Sequence, residues 1–432
     1  MFVYHRQDLP ADAEFPAELD KLGYFINDKD QIRKISDPTQ EFQFKINRND
    51  RWNEVQRAAM NECIRKIVLS RLNELGLVTL RLPLTSDPTK PHVPILVSRN
   101  LANASRIVLV FGEPVQDLGI WAYRTVGTEG INVGSAVDFV KAVLSPGRHD
   151  NSANANGINI NGANGAAATN EHSDSPSNGD TAVILANTGQ LFWHCGLGKA
   201  MTFTSKLALP RASAVDPPLA ETERNKIPGN RHWQEHVDSV FEELLDARGR
   251  LIRNDARIDV IGAAEGGLAV VRYLGRNWST WSTHISAICL ANPLHTVTTD
   301  LLPLELEAET QVESNGNGTT NGGPNQASFP AFLSSRCRAY LLSPEPLGFR
   351  LENSESQKHG CNCYSSGEEL NAECIIPKAW RSMLGWLGKV FEDEGFCEQQ
   401  LLGREVGGEG DVDEGEDGVI DVDGVASDVE MV

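Results

Sequence analysis

Seven short runs punctuate the chain: VTLRLPL from Val78, ILV from Ile95, RIVLVFG from Arg106, AVILAN from Ala182, IDVIG from Ile258, ISAICLA from Ile285 and RAYLLS from Arg338. Most are apolar throughout rather than at alternate positions. A strand with one wet face alternates, whereas a strand buried on both faces does not. Helical stretches separate them, near Gly119–Leu144, His232–Ala247, Leu268–Leu274 and Pro377–Phe391. Ahead of them, Asn53 to Leu75 carries one apolar helical face: Val55, Met60, Cys63, Ile64, Ile67, Val68, Leu72 and Leu75. Such strands alternating with helices imply an α/β fold, a mainly parallel central sheet flanked by helices on both faces. Functional loops in such a sheet lie at the carboxyl ends of the strands.

The 432 residues suffice for one large domain or two ordinary ones. Residues 147–180 and 307–328 are rich in Asn, Gly and Ser and offer little to bury. They read as disordered loop insertions within a single domain, 1–402, whose first 76 residues form an N-terminal extension. Residues 403–432 hold eleven acids and one base, Arg404, and so carry −10 of the chain's net −20. They read as an acidic disordered tail, either a solubilising end or a hook for basic proteins such as histones or RNA-binding proteins. The mildly acidic body makes direct nucleic-acid binding unlikely, because phosphate backbones are repelled. The N-terminus lacks a basic segment followed by an apolar run, and no stretch approaches the ~18 apolar residues of a membrane span. The expectation is a soluble protein of nucleus or cytoplasm, not secreted and without a membrane partner. Its eight cysteines are then reduced thiols.

The run IDVIGAAEGGLAVV, 258–271, outlines a strand, a small-residue turn and a helix. That is the setting of the G-x-S-x-G nucleophile elbow of α/β-hydrolases. Gly262, Ala264 and Gly266 occupy the motif, with alanine where serine belongs. Alanine has no lone pair with which to attack a carbonyl. The acid follows the nucleophile in chain order and histidine comes last. Glu345, after the Arg338–Ser343 strand, is the acid candidate, and His359 is the one histidine in the stretch expected to hold the base. In the loop after Arg106–Phe111, Pro114 lacks an N–H, and Glu113 opposes a developing oxyanion. A plain Rossmann-like turn remains the bland reading of the glycines.

Three further matches are weaker. HWQEH, His232 to His236, fits the H-x-x-E-H zinc pattern, and more simply starts an amphipathic helix with Val237, Val240, Phe241 and Leu244. Cys361, Cys363 and Cys374 invite zinc, although C-x-C is not the usual spacing. GLGKAMT at Lys199 imitates a phosphate loop but has Trp193 where the first glycine belongs. No cofactor is expected.

Six stretches together resemble a known family: Gly23–Glu54, RIVLVFGEPVQDLGIWAYR from Arg106, VILANTGQLFW from Val183, IPGNRHWQEHVDSVF from Ile227, the elbow, and RAYLLSPEPLG from Arg338. In that order they resemble the Arb domain. It is named for a fungal Argonaute-binding subunit and is also found at the C-terminus of class II histone deacetylases. The resemblance spans Phe15 to Phe391. It implies an α/β-hydrolase-like fold and a place in Argonaute–siRNA, heterochromatin or other gene-silencing machinery in the nucleus. Some relatives carry serine at the position of Ala264 and histidine near Asn371, so this chain departs at nucleophile and base together. The resulting expectation is a pseudoenzyme: a scaffold for Argonaute, histone deacetylase or chromatin subunits. Gly112, Glu113, Trp121, Glu265, Gly267 and His295 are expected to line a surviving ligand groove. The alternative is an active serine-type esterase with a non-standard nucleophile.

Overall fold

The computed structural model describes residues 9–84, 87–145, 180–302 and 328–399. Most of both proposed insertions and the whole acidic tail lie outside them. The strands are β1 (Tyr24–Ile26), β2 (Ile32–Lys34), β3 (Leu77–Leu82), β4 (Val93–Ser98), β5 (Arg106–Phe111), β6 (Thr181–Leu185), β7 (Phe192–His194), β8 (Lys199–Met201), β9 (Arg257–Ala263), β10 (Ile285–Ala291), β11 (Cys337–Leu341) and β12 (Asn362–Ser365). The helices are α1 (Asp50–Glu74), α2 (Tyr123–Thr128), α3 (Val137–Leu144), α4 (Phe203–Leu207), α5 (Trp233–Ser239), α6 (Ala264–Trp281), α7 (Phe329–Arg336), α8 (Asn353–His359) and α9 (Ile375–Glu392). A wider-wound turn, Val240–Leu245, continues α5. No helix among the described residues is long and apolar enough to cross a membrane.

Eight strands form one sheet in the order β12-β11-β10-β9-β5-β6-β4-β3. The pairs from β12 across to β6 are parallel, and β4 runs antiparallel to both β6 and β3. Both faces are covered. Ile107, Leu109 and Phe111 of β5 pack with α5, α6 and α7, whereas Val108 and Val110 join α1, α3 and α9 on the other face. β9 and β10 divide their side chains in the same way, which is why their sequences are apolar without alternation. On α1, Met60, Ile64, Val68 and Leu72 recur every fourth residue and are all buried. Asn49 caps this helix by accepting from the Arg51 amide.

The expected helix near Gly119–Leu144 is two short ones, α2 and α3, because Gly130 and Gly134 make a turn between them. The helix expected from Leu268 begins at Ala264, since the elbow itself forms its first turn. The free edge of β12 is shielded by its own chain. Ser365 N donates to Phe349 O, and the Gly348 and Leu351 amides donate to Ser365 O and Cys363 O. From β5 the chain steps to β6 on one side, then returns to β9 on the other. A crevice opens at the carboxyl ends where such a direction change occurs, here between β5 and β9.

Candidate functional site

The turn at that crevice has the geometry of a nucleophile elbow. β9 ends at Ala263, and Ala264 takes φ 43°, a left-handed conformation costly for any residue with a Cβ. Two glycines make the turn possible. A Cβ on Gly262 would stand 2.5 Å from Gly267 Cα, and one on Gly266 would stand 2.5 Å from Gly112 O. Ala264 is 7% exposed. The position from which a nucleophile attacks therefore carries a methyl group.

Three carboxylates from three loops interact beside the turn: Glu113 after β5 feels the charges of Glu373, ahead of α9, and Glu265, in the first turn of α6. Burial raises the Glu113 carboxyl from 4.5 to about 7, and the charges of Glu373 and Glu265 push the same way. Gly112 O accepts from Thr188 Oγ1 at 2.6 Å. The β5 loop is fixed from below by Asp117, which receives Arg65 Nη1 at 2.7 Å, Tyr123 OH at 2.6 Å and Gln190 Nε2 at 2.9 Å.

Glu345, Asn371 and His359 are the expected acid and base positions of a triad. Glu345 is exposed. Asn371 Nδ2 and its own amide donate to Glu368 Oε1 at 3.2 and 3.1 Å. Glu368 is held at about 2, against its own burial, by Lys378 at 2.6 Å and by the amides of Leu370 and Asn371. His359 is 2% exposed. Its Nδ1 donates to His295 O at 2.7 Å, while His295 Nε2 donates to His359 O at 2.8 Å. Two carbonyl acceptors thus define both tautomers, and burial lowers both imidazoles, His295 to about 4.

The expected ligand groove needs correction. Gly112, Glu113 and Trp121 do line one cavity, but its ≈ 20 Å³ holds about one water. Within it the Trp121 Nε1 finds no hydrogen-bond partner among the described residues. Glu265 lies outside this cavity, Gly267 packs against Gly262 and Leu290, and His295 is fully buried in its pairing with His359. The cysteines do not converge either. Cys361 and Cys363 sit with Cys337, whereas Cys374 Sγ meets Thr125 Oγ1 at 3.4 Å. No group of three His, Cys, Asp or Glu among the described residues is arranged to hold a metal. In HWQEH, His232 caps α5 and His236 is wholly buried. His236 Nε2 accepts from the Asn187 amide at 2.9 Å, so Nδ1 carries the proton it donates to Asn230 Oδ1 at 2.7 Å. Burial lowers its pKa to about 3. GLGKAMT is the turn and second strand of the β7–β8 hairpin. Glu373 and Asp117 have no signal in the sequence, because a lone carboxylate in a loop carries no pattern until tertiary structure gives it neighbours.

The sheet order and the elbow define an α/β-hydrolase-like protein whose nucleophile position is alanine. Residues 15–301 match the family model described as the Arb2 domain, and the chain belongs to that family. Among curated relatives, it is 31% identical over 140 residues to the "Cotranscriptional regulator ARB2A homolog" of Xenopus tropicalis, covering 31% of this chain and 32% of the relative. To the "Cotranscriptional regulator ARB2A" of Homo sapiens it is 29% identical over 138 residues, covering 31% and 33%. The chain thus matches about a third of the length of these relatives. A solved structure titled "A histone deacetylase from Saccharomyces cerevisiae" is similar with a TM-score of 0.38 and 11% identity, covering 76% of this chain and 97% of that one.

Proposed function

We propose that this chain is a catalytically inactive, hydrolase-like scaffold that serves a chromatin-linked regulatory assembly in the nucleus. The observation that carries the first half is Ala264, a methyl group at the tip of a strained elbow. The carboxylates of Glu113, Glu265 and Glu373 around it support the same reading. The second half is supported by family membership and by relatives named as cotranscriptional regulators. The partner is a histone deacetylase or chromatin subunit, or an Argonaute loaded with siRNA. Any RNA reaches the complex through that partner, because the chain itself carries net −20.

Two measurements test the halves separately. Fluorophosphonate labelling of the purified protein is expected to give no stoichiometric adduct. Labelling that maps to one serine would establish the serine-hydrolase alternative. Affinity purification of the tagged full chain from nuclear extract, read by quantitative mass spectrometry, is expected to enrich deacetylase, chromatin or Argonaute subunits. Enrichment of none of the three overturns the assembly.

A further inference from the structure

Between β6 and β9 the chain builds a small platform beside the β5 loop. The hairpin β7–β8 rests on its own core of Val93, Trp193, Ala200 and Ile227, and α4 follows directly. A groove of ≈ 190 Å³ lies between this platform and the start of α5. Its apolar walls are Leu191, Phe192, Met201, Phe203 and Trp233. That volume is below the ~300 Å³ at which drug-sized ligand sites begin, and suits one large side chain. Phe203 leaves 63% of its surface exposed at the lip.

The groove also contains a cation. Lys206 is 7% exposed, with Nζ 4.7 Å from the Phe192 ring centroid and 5.6 Å from that of Phe203. A buried ammonium requires a counter-charge. Glu221 supplies one at 3.2 Å, yet its own side chain is 52% exposed. The pair is therefore asymmetric, a held cation with an exposed carboxylate. Exposed ion-pair partners contribute little and exchange readily. Arg231, in the same lining, is already paired with Glu235, so Lys206 is the cation there whose counter-charge is an exposed carboxylate.

We infer that this groove is a docking site for an acidic segment of a partner protein, with one large apolar side chain inserted and one carboxylate bound to Lys206 in place of Glu221. Charge complementarity selects this occupant over a basic one, which would meet the buried Lys206. Pro114, Thr188 and Gly189 complete the lining, so the groove borders the β5 loop.

The test uses the full chain and a fluorescein-labelled peptide, Asp-Glu-Phe-Trp-Glu-Asp, followed by fluorescence anisotropy. Saturable binding is expected, weakened by salt. Lys206→Met is expected to weaken it about tenfold and Lys206→Arg far less, as for loss of a central charged anchor. Phe203→Ala weakens it as well. Glu221→Gln tightens binding about threefold by removing the competing carboxylate. This gain is one that a purely structural role for the pair does not produce. Absence of saturation with both wild type and Glu221→Gln overturns the proposal. So does equal binding of a Lys-substituted peptide, or weaker binding by Glu221→Gln. Thermal melts of each variant separate misfolding from lost affinity. If Lys206→Met fails to fold, Glu221→Gln and the charge-reversed peptide still decide.

Discussion

Ala264 holds φ at 43° without a glycine's freedom, at a cost of about 1–2 kcal/mol for a residue with a Cβ. Replacing it by glycine relieves that strain but loosens the unfolded chain by about 0.5–1 kcal/mol. Ala264→Gly is therefore expected to leave stability unchanged or raise it by up to about 1 kcal/mol in urea unfolding. Gly266→Ala is expected to cost about 1–3 kcal/mol, because its Cβ would collide with Gly112 O. If both substitutions proved neutral, the turn would not be the constrained elbow described. Ala264→Ser alone is expected to show no p-nitrophenyl acetate turnover above background. A measurable rate would mean that the base and the oxyanion donors are intact. At Glu113 the carboxyl sits at about 7 in the fold and at 4.5 in the unfolded chain. Between those values the folded state holds the extra proton, so stability falls as pH rises through them. Glu113→Gln removes this loss. It is expected to be about 1–2 kcal/mol more stable than wild type at pH 8, with the advantage gone at pH 4. Denaturation curves at the two pH values check it, and an equal difference at both contradicts the assignment.

The elements themselves are tied to the sheet by a few specific side chains. The segment after α9 returns to β11, where Glu398 forms a two-oxygen contact with Arg338, 2.8 Å at the closest, and accepts from Tyr364 OH at 2.6 Å. The same guanidinium lies over the Tyr364 and Trp386 rings at 4.5 and 5.2 Å. Glu398→Ala leaves this half-buried cation without its carboxylate and is expected to cost about 1–3 kcal/mol. A loss below about 0.5 kcal/mol in chemical denaturation would mean the strap is not anchored there. At the C-terminal end of α9 itself, Phe391 packs against Arg106 and Arg257, with guanidinium carbons 4.7 and 5.0 Å from its ring centroid. α9 was legible from its apolar positions, but neither clasp was, because Arg338 and Glu398 are sixty residues apart.

Three buried histidines, His236, His295 and His359, all have lowered pKa values, the first to about 3 and the second to about 4. Folded, they stay neutral where the unfolded chain would take up protons. Stability is therefore complete above pH 6.5 and falls as pH drops below it, by up to about 1.4 kcal/mol per unit for each group. Glu113 works in the opposite direction over pH 4.5 to 7. With three groups against one, the whole molecule is expected to be less stable at pH 5 than at pH 7.5. Greater stability at pH 5 would mean that the histidines are not buried as neutral rings. This behaviour belongs to no single element. His236 ties the end of β6 to α5, and the other two join the β10 loop to α8.

The parallel, doubly covered sheet was readable from the chain alone, since strands buried on both faces must be apolar at successive positions. The elbow was readable too, because only glycines at 262 and 266 allow β9 and α6 to meet the β5 loop so closely. Local rules of this kind depend on residues near one another in sequence. Of the groove expected at the elbow, Gly112, Glu113 and Trp121 line a cavity of one-water size, and His295 is buried in its pairing with His359 instead. The hairpin hidden in FWHCGLGKAM, the three carboxylates around Ala264 and the groove over Lys206 also escaped the sequence. Each depends on which loops the strand order brings together. Burial, charge neighbours and cavity volume are properties of that arrangement, and no stretch of residues carries them by itself.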